Sequence, residues 1–221
     1  MILCLDLSLS STGYATFHDD FTLVNYGKIV PEAVMLTKDT EYARLAWIIS
    51  YLEDAMGICD TLVYEDVYHG LRFSAEKWML RLSGAVINEW QRVGSDKEPV
   101  CYMASEARKL VGLKGNSQKA EIQIWVLDKV KKYNTRKYKI KVEDLFLQKA
   151  QCFNLFKSEL KDKYKSLRAL NTAARKKANS KYKYQMNKLS KLIEKETGFG
   201  EDLCDAILLG YAHQKALEGK E

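Results

Sequence analysis

A chain of 221 residues, 47% hydrophobic and 29% charged, suits one soluble globular domain with an appendage; no apolar run nears the roughly 20 residues of a membrane span and nothing marks a secretion signal, so a cytoplasmic protein is expected. Five scattered cysteines, Cys4, Cys59, Cys101, Cys152 and Cys204, form no Cys-x-x-Cys pair, which argues against a zinc cage or a disulfide framework. The net charge of +6 hides a division: Lys131 to Lys195 holds 20 Lys and Arg against five acids, a local +15, and the remainder carries −9, so a polyanionic partner is indicated.

Three β-rich runs open the chain, Ile2 to Asp6, Gly13 to His18 and Thr22 to Val30, parted by Ser-Ser-Thr-Gly and His-Asp-Asp turn material, which predicts an antiparallel three-stranded start. Tyr42, Leu45, Ile48, Ile49, Leu52 and Met56 then repeat at helical spacing behind a cap at Asp39 or Thr40. Thr61 to Glu65 reads as a short buried strand, Ser74 to Val93 as an amphipathic helix and Val100 to Met103 as another strand. Strands alternating with helices after a meander predict an α/β layer fold with a mixed sheet. Both prolines and eight of the 12 glycines precede Asn116, and residues 116 to 197 contain neither, so that stretch is expected to be nearly continuous helix. Val142, Phe146, Ala150, Phe153, Phe156, Leu160, Tyr164 and Leu167 mark one helical stripe, and Leu170, Ala174, Ala178, Tyr182, Met186, Leu189 and Ile193 extend it. The stretch is either one long helix or a hairpin broken near Asn171-Thr172. A last helix from Glu201 to Glu218 packs through Leu203, Ile207, Gly210 and Tyr211.

Several carboxylates sit where they could carry chemistry. Asp6 ends the first strand in Leu5-Asp6-Leu7, and alternation sets it opposite its leucine neighbours. A carboxylate among apolar β residues is costly to bury unless paired or metal-bound, although capping the Ser-rich turn is the plainer role. A second acid closes Leu62-Val63-Tyr64-Glu65-Asp66, and only one of Glu65 and Asp66 can share the Asp6 face. In Gly200-Glu201-Asp202-Leu203-Cys204-Asp205-Ala206, Asp202 and Asp205 are three apart and share a helix face. A cation between them makes that pairing favourable, while acids are also ordinary in a first helical turn. Clustered carboxylate oxygens suit Mg²⁺ or Mn²⁺ rather than zinc.

Leu5-Asp6-Leu7-Ser8-x-x-Ser11-Thr12-Gly13-Tyr14, then Val63-Tyr64-Glu65-Asp66-Val67-Tyr68, then a closing Asp202-x-x-Asp205-Ala206, resembles in order and type the RuvC-type Holliday-junction resolvases of the RNase H-like nuclease fold. Ala107 to Ile122, in which a Val-Gly loop leads to Lys119, resembles the family segment bearing an active-site lysine. The resemblance covers about residues 1 to 125 and 198 to 215. It implies that Asp6, Glu65, Asp202 and Asp205 hold two divalent ions at a scissile phosphate, a chemistry in which paired ions activate water and stabilise the leaving oxygen. Lys119 would contact the phosphate, and Lys109 matches a second basic position. Tyr68 falls where the family stacks an aromatic on a base at the junction centre, and His69, Arg72 and Phe73 share its loop. Lys114 adds a further DNA contact. The resemblance also implies a homodimer through the helix of Trp78, Leu82, Ala85 and Val86, residues that equally suit an intradomain core.

One departure is large. About 65 basic helical residues separate the lysine-bearing helix from the Asp-x-x-Asp helix, where the family has a short stretch. The expected organisation is a nuclease core of residues 1–130 and 198–221 with a basic helical insertion, 131–197, whose Arg175, Lys176 and Lys177 grip DNA between tyrosines at 133, 138, 164, 182 and 184. The reading is a metal-dependent endodeoxyribonuclease of the kind used in DNA recombination and repair. It would act on four-way junctions and other branched DNA, without a small-molecule cofactor, in the bacterial host cytoplasm if the source is viral. An inactive branched-DNA scaffold of the same fold remains open; an actin-like or sugar-kinase phosphotransferase would need a second domain and a second Gly-rich loop.

Overall fold

The computed structural model describes residues 1–31, 41–66, 73–93, 97–130, 134–164 and 166–219, with the side chains of residues 73–75 outside that description. The chain divides into two compact units, Met1–Ser117 with Asp202–Glu221, and Gln118–Glu201.

The first unit is built on a five-stranded mixed sheet in the order β3-β2-β1-β4-β5, from β1 (Ile2–Asp6), β2 (Thr12–Phe17), β3 (Leu23–Ile29), β4 (Thr61–Glu65) and β5 (Val100–Tyr102). The first three are antiparallel, and β1, β4 and β5 run parallel. This is the α/β mixed sheet expected from the alternation of strands and helices, and the RNase H-like fold that the resemblance implies. Alternation decides which residues meet which layer. Leu3 and Leu5 from the first strand, Leu7 just after it and Leu62 from the fourth pack with Ile48, Leu52 and Met56 of α1 (Glu41–Ile58) and with Leu82, Val86 and Trp90 of α2 (Phe73–Arg92). Leu82 and Val86 are fully buried in this core, and the Trp90 indole N–H donates to the Lys97 carbonyl at 2.9 Å. The expected α1 cap at Asp39 or Thr40 lies outside the described residues.

The opposite face carries α7 (Glu201–Glu218), and α3 (Ala104–Leu110) follows the last strand. The sequence pattern assigns α7 one packing side, whereas Leu203 to Gly210 are buried without interruption. Gly210 lets the helix approach the sheet: a Cβ there would stand 2.1 Å from the Phe17 ring.

The second unit is helical: α4 (Lys119–Val130), α5 (Arg136–Glu159), a short 3₁₀ turn at Lys161–Lys163, and α6 (Leu167–Thr197). Just before α4 the Gln118 N–H donates to the Glu121 carboxylate at 2.6 Å, half of a capping box. Leu170, Ala174, Ala178, Tyr182, Met186, Leu189 and Ile193 are buried as their periodicity predicts. The hairpin breaks between Leu160 and Ser166, not at Asn171-Thr172. Ser166 caps α6 by accepting from the Ala169 N–H, while the Thr172 hydroxyl donates to the Arg168 carbonyl at 2.9 Å inside the helix. Gly198 ends α6 with φ 77°, the left-handed conformation that favours glycine.

Candidate active site

Asp6 follows Cys4 on the sheet face away from α1 and α2, since Leu3, Leu5 and Leu7 take the other. In the parallel register Leu5 lies beside Tyr64, and Tyr64 packs against the α1–α2 core, so Glu65 rather than Asp66 shares the Asp6 face. Adjacent strands lie about 4.8 Å apart, which makes Asp6 and Glu65 neighbours at two strand ends. Both are half-buried.

On the other side of Asp6 its register partner is Gly13. Over that glycine passes the backbone of Asp202: a Cβ at Gly13 would stand 2.0 Å from the Asp202 carbonyl oxygen and 3.0 Å from the Leu203 nitrogen. The start of α7 is thereby seated beside Asp6. One turn on, Asp205 is only 8% exposed, and the Arg108 guanidinium Nη2 from α3 stands 3.9 Å from its Oδ1. Further along α7, His213 Nδ1 lies 3.0 Å from the Tyr102 hydroxyl, and Tyr102 pairs with Glu65 in the sheet. Glycine at 13, glycine at 210 and the Tyr102–His213 contact thus fix the helix against the Asp6 face. The Ser-rich turn after Asp6 is tied by its own hydroxyls, with the Thr12 hydroxyl donating to the Ser8 carbonyl at 2.7 Å.

All four predicted acids therefore belong to one unit, with Asp6 and Glu65 on the sheet face over which the start of α7 lies. Among the described residues, no group of three or more His, Cys, Asp or Glu side chains is drawn together as a ready metal cage. The donors suit a hard divalent ion in kind, being carboxylates throughout. Burial pushes the neighbouring Cys4 thiol well up, which keeps it protonated and out of a ligand set.

Lys119 belongs to the helical unit, where its ammonium pairs with Glu201. Lys109 and Lys114 are exposed in the first unit. Tyr68, His69, Arg72, the Phe73 side chain and Tyr133 lie outside the described residues. Arg175, Lys176 and Lys177 are exposed on α6, with the Lys177 ammonium 5.2 Å from the centre of the Phe156 ring. Arg108 is a residue that sequence reasoning passed over in favour of Lys109. Its signal was faint: in a seven-residue helix, the residue beside buried Ala107 turns inward and its neighbour outward.

No family profile matches the chain, and comparison with curated proteins finds no match. Solved structures do match. RuvC from Thermus thermophilus is 9% identical with a TM-score of 0.54, over 99% of this chain and 96% of that one. T. thermophilus RuvC in complex with Holliday junction substrate is 8% identical with a TM-score of 0.58, over 99% of this chain and 94% of that one. At that identity the likeness is one of fold, and the chain has the RuvC-like, RNase H-like fold.

Proposed function

We propose that the chain is a divalent-metal-dependent endonuclease that cuts branched DNA, four-way junctions foremost. What supports this reading is the seating of the start of α7, which carries Asp202 and Asp205, on the sheet face of Asp6 and Glu65, in a fold shared with a protein solved on a Holliday junction. Two Mg²⁺ or Mn²⁺ ions held by these carboxylates would supply the neutralisation of phosphate charge and the activation of water that hydrolysis needs. The protein's own groups have distinct tasks. Asp6 and Glu65 offer oxygens from rigid strand ends, Asp202 and Asp205 offer theirs from the first two turns of α7, and Arg108 orients the buried Asp205 carboxylate. Lys119 and Lys109 contact phosphate, with Tyr68, Arg72, Phe73 and Lys114 as further DNA contacts, and the active form is a homodimer. The helical unit, with 22 Lys and Arg against nine acids, supplies affinity for the DNA backbone through counterion release.

A synthetic four-way junction incubated with the protein and Mg²⁺ or Mn²⁺ tests this directly. Nicking is expected, and Asp6→Asn or Asp205→Asn should abolish it while leaving binding intact. The scaffold reading draws on the open arrangement of the acids among the described residues. Junction binding without cutting under either ion would establish it and end the nuclease proposal.

A further inference from the structure

Helices α5 and α6 form an antiparallel pair, yet the stripe that periodicity assigns to their seam is not fully used. Phe146 is 41% exposed and Ala150 is exposed, while Ala178 opposite is buried. The result is a cleft of about 480 Å³ between the two helices. Phe146 and Phe153 stand two helical turns apart on α5, about 10.5 Å along the axis, with Lys149 and the small Ala150 between them. Two rings separated by a methyl, over the methyl of Ala178, leave a slot with aromatic ends and a shallow floor. Its remaining lining is polar and cationic: Lys149, Arg175 and Asn179. The slot is braced from below, since the Phe146 and Tyr182 ring centres are 5.2 Å apart and the Lys149 ammonium stands 4.6 Å from the Tyr182 centroid.

An occupant must satisfy both halves of this lining. An apolar side chain from a second copy would match the rings but would leave Lys149 and Arg175 without counter-charges in the contact, a costly arrangement. A flat aromatic group tethered to phosphate matches both. The surroundings point the same way: a neighbouring groove of about 370 Å³ shares Arg175 and Asn179 with the cleft and continues along α6 past Lys176, Ser180 and Lys183. Small polar residues with a cation at each turn suit a phosphate backbone rather than a helix or a strand.

We propose that the α5–α6 cleft holds an unpaired DNA base between Phe146 and Phe153. Its phosphate lies on Lys149 and Arg175, and the adjoining single strand follows the Arg175–Lys183 groove. The proposal deepens the reading of the chain as a branched-DNA enzyme by naming single-stranded DNA at a junction or flap as what the helical unit grips. It does not depend on whether the carboxylate face cuts.

The test uses the full chain in EDTA and two 15-nucleotide probes, oligo-dT and an abasic oligomer of the same length, followed by fluorescence anisotropy at fixed salt. Oligo-dT should bind roughly ten-fold or more tightly than the abasic probe, the scale of one stacked base. Phe146→Ala with Phe153→Ala should remove that preference and leave abasic affinity and the salt slope unchanged. Ala150→Leu, an exposed position whose larger side chain fills the slot without removing a ring, should do the same, which guards against misfolding of the double variant. Equal binding of both probes by wild type, or a preference that survives both variants, would overturn the proposal. So would a loss of dimer on Ala150→Leu in light scattering, because it would seat a second copy in the cleft. Failure of junction cutting with the base preference intact would count against the nuclease reading alone.

Discussion

Gly13→Ala isolates the packing that seats the acids. Gly13 is an ordinary strand residue, so alanine there relieves about 0.5–1 kcal/mol of the conformational cost a glycine carries. The opposing effect is larger. The new methyl would meet the Asp202 carbonyl oxygen at 2.0 Å and its carbon at 2.4 Å, both backbone atoms that no side-chain rotation can remove. A carbon-to-oxygen approach settles near 3.3 Å, so the start of α7 has to retreat by roughly 1.3 Å. The helix cannot slide away as a body, since Gly210 against Phe17 and His213 against Tyr102 hold its later turns. Its first turn must tilt, carrying Asp202 away from Asp6. Overpacking of this kind costs about 1–3 kcal/mol. The net effect is a loss, seen as a fall of about 2–10 °C in Tm. A displacement of about 1 Å at reacting groups costs on the order of 100-fold in rate. Single-turnover cleavage of a four-way junction with Mn²⁺, run beside thermal unfolding and anisotropy, separates these effects: slow cutting, lowered Tm and unchanged junction affinity are expected. A variant with wild-type rate and wild-type Tm would refute the placement of α7 over Gly13. A lowered Tm with full cutting would show that the acids of α7 take no part.

Two further outcomes are expected of the helical unit. Changing Arg175, Lys176 and Lys177 to Gln should weaken binding and reduce the slope of log affinity against log salt, by up to about 0.9 for each duplex phosphate that the variant no longer neutralises; a slope equal to wild type would remove these residues from the DNA interface. Partial burial would push the Asp128 carboxyl up, but the Lys139 ammonium at 2.5 Å and the Thr135 hydroxyl outweigh it and hold the group below its ordinary 3.8. With the folded value lowered, the stabilisation is complete above 3.8 and is lost as pH falls through the folded value. Asp128→Asn should therefore cost on the order of 0.5 kcal/mol at neutral pH, the pair being half-exposed. In unfolding curves the gap between variant and wild type should close in acid. A gap that persists there would show that Asp128 acts through its shape and hydrogen bond rather than its charge.

What was legible in the sequence follows from the range of the interactions involved. The strands are local patterns: a two-residue alternation sufficed to place Ile2–Asp6 and Thr61–Glu65 and to restrict the Asp6 face to one acid of Glu65-Asp66. Which acid it was required the register with β1, a pairing across 59 residues of chain. The role of Gly13 was hidden for the same reason, because Ser-Ser-Thr-Gly reads as turn material and the atom that excludes a side chain there comes from Asp202. The hairpin break was misplaced because Asn and Thr offer cap chemistry wherever they stand. At Thr172 that chemistry is spent inside the helix on the Arg168 carbonyl, whereas the actual turn uses Lys161-Asp162-Lys163 with neither glycine nor proline. The open Phe146–Ala150 stripe was invisible because periodicity reports which side chains could pack together, and not which of them find a partner.

Under the proposed function, the division of charge gives the two units opposite tasks and fixes the sign of one outcome. The sheet-bearing unit has 13 Lys and Arg against 20 acids, a net −7, and the helical unit is at +13. On that reading, a face carrying the four carboxylates would repel the phosphate it has to approach, so in the absence of divalent ions it would oppose binding while the helical unit drives it. Removing one of those charges should then help binding as it ends catalysis. In EDTA, Asp6→Asn is expected to hold a four-way junction at least as tightly as wild type, with the difference shrinking as salt screens the face. Weaker binding by Asp6→Asn in EDTA would mean that the carboxylate itself holds DNA, and the assignment of affinity to one unit and chemistry to the other would fall.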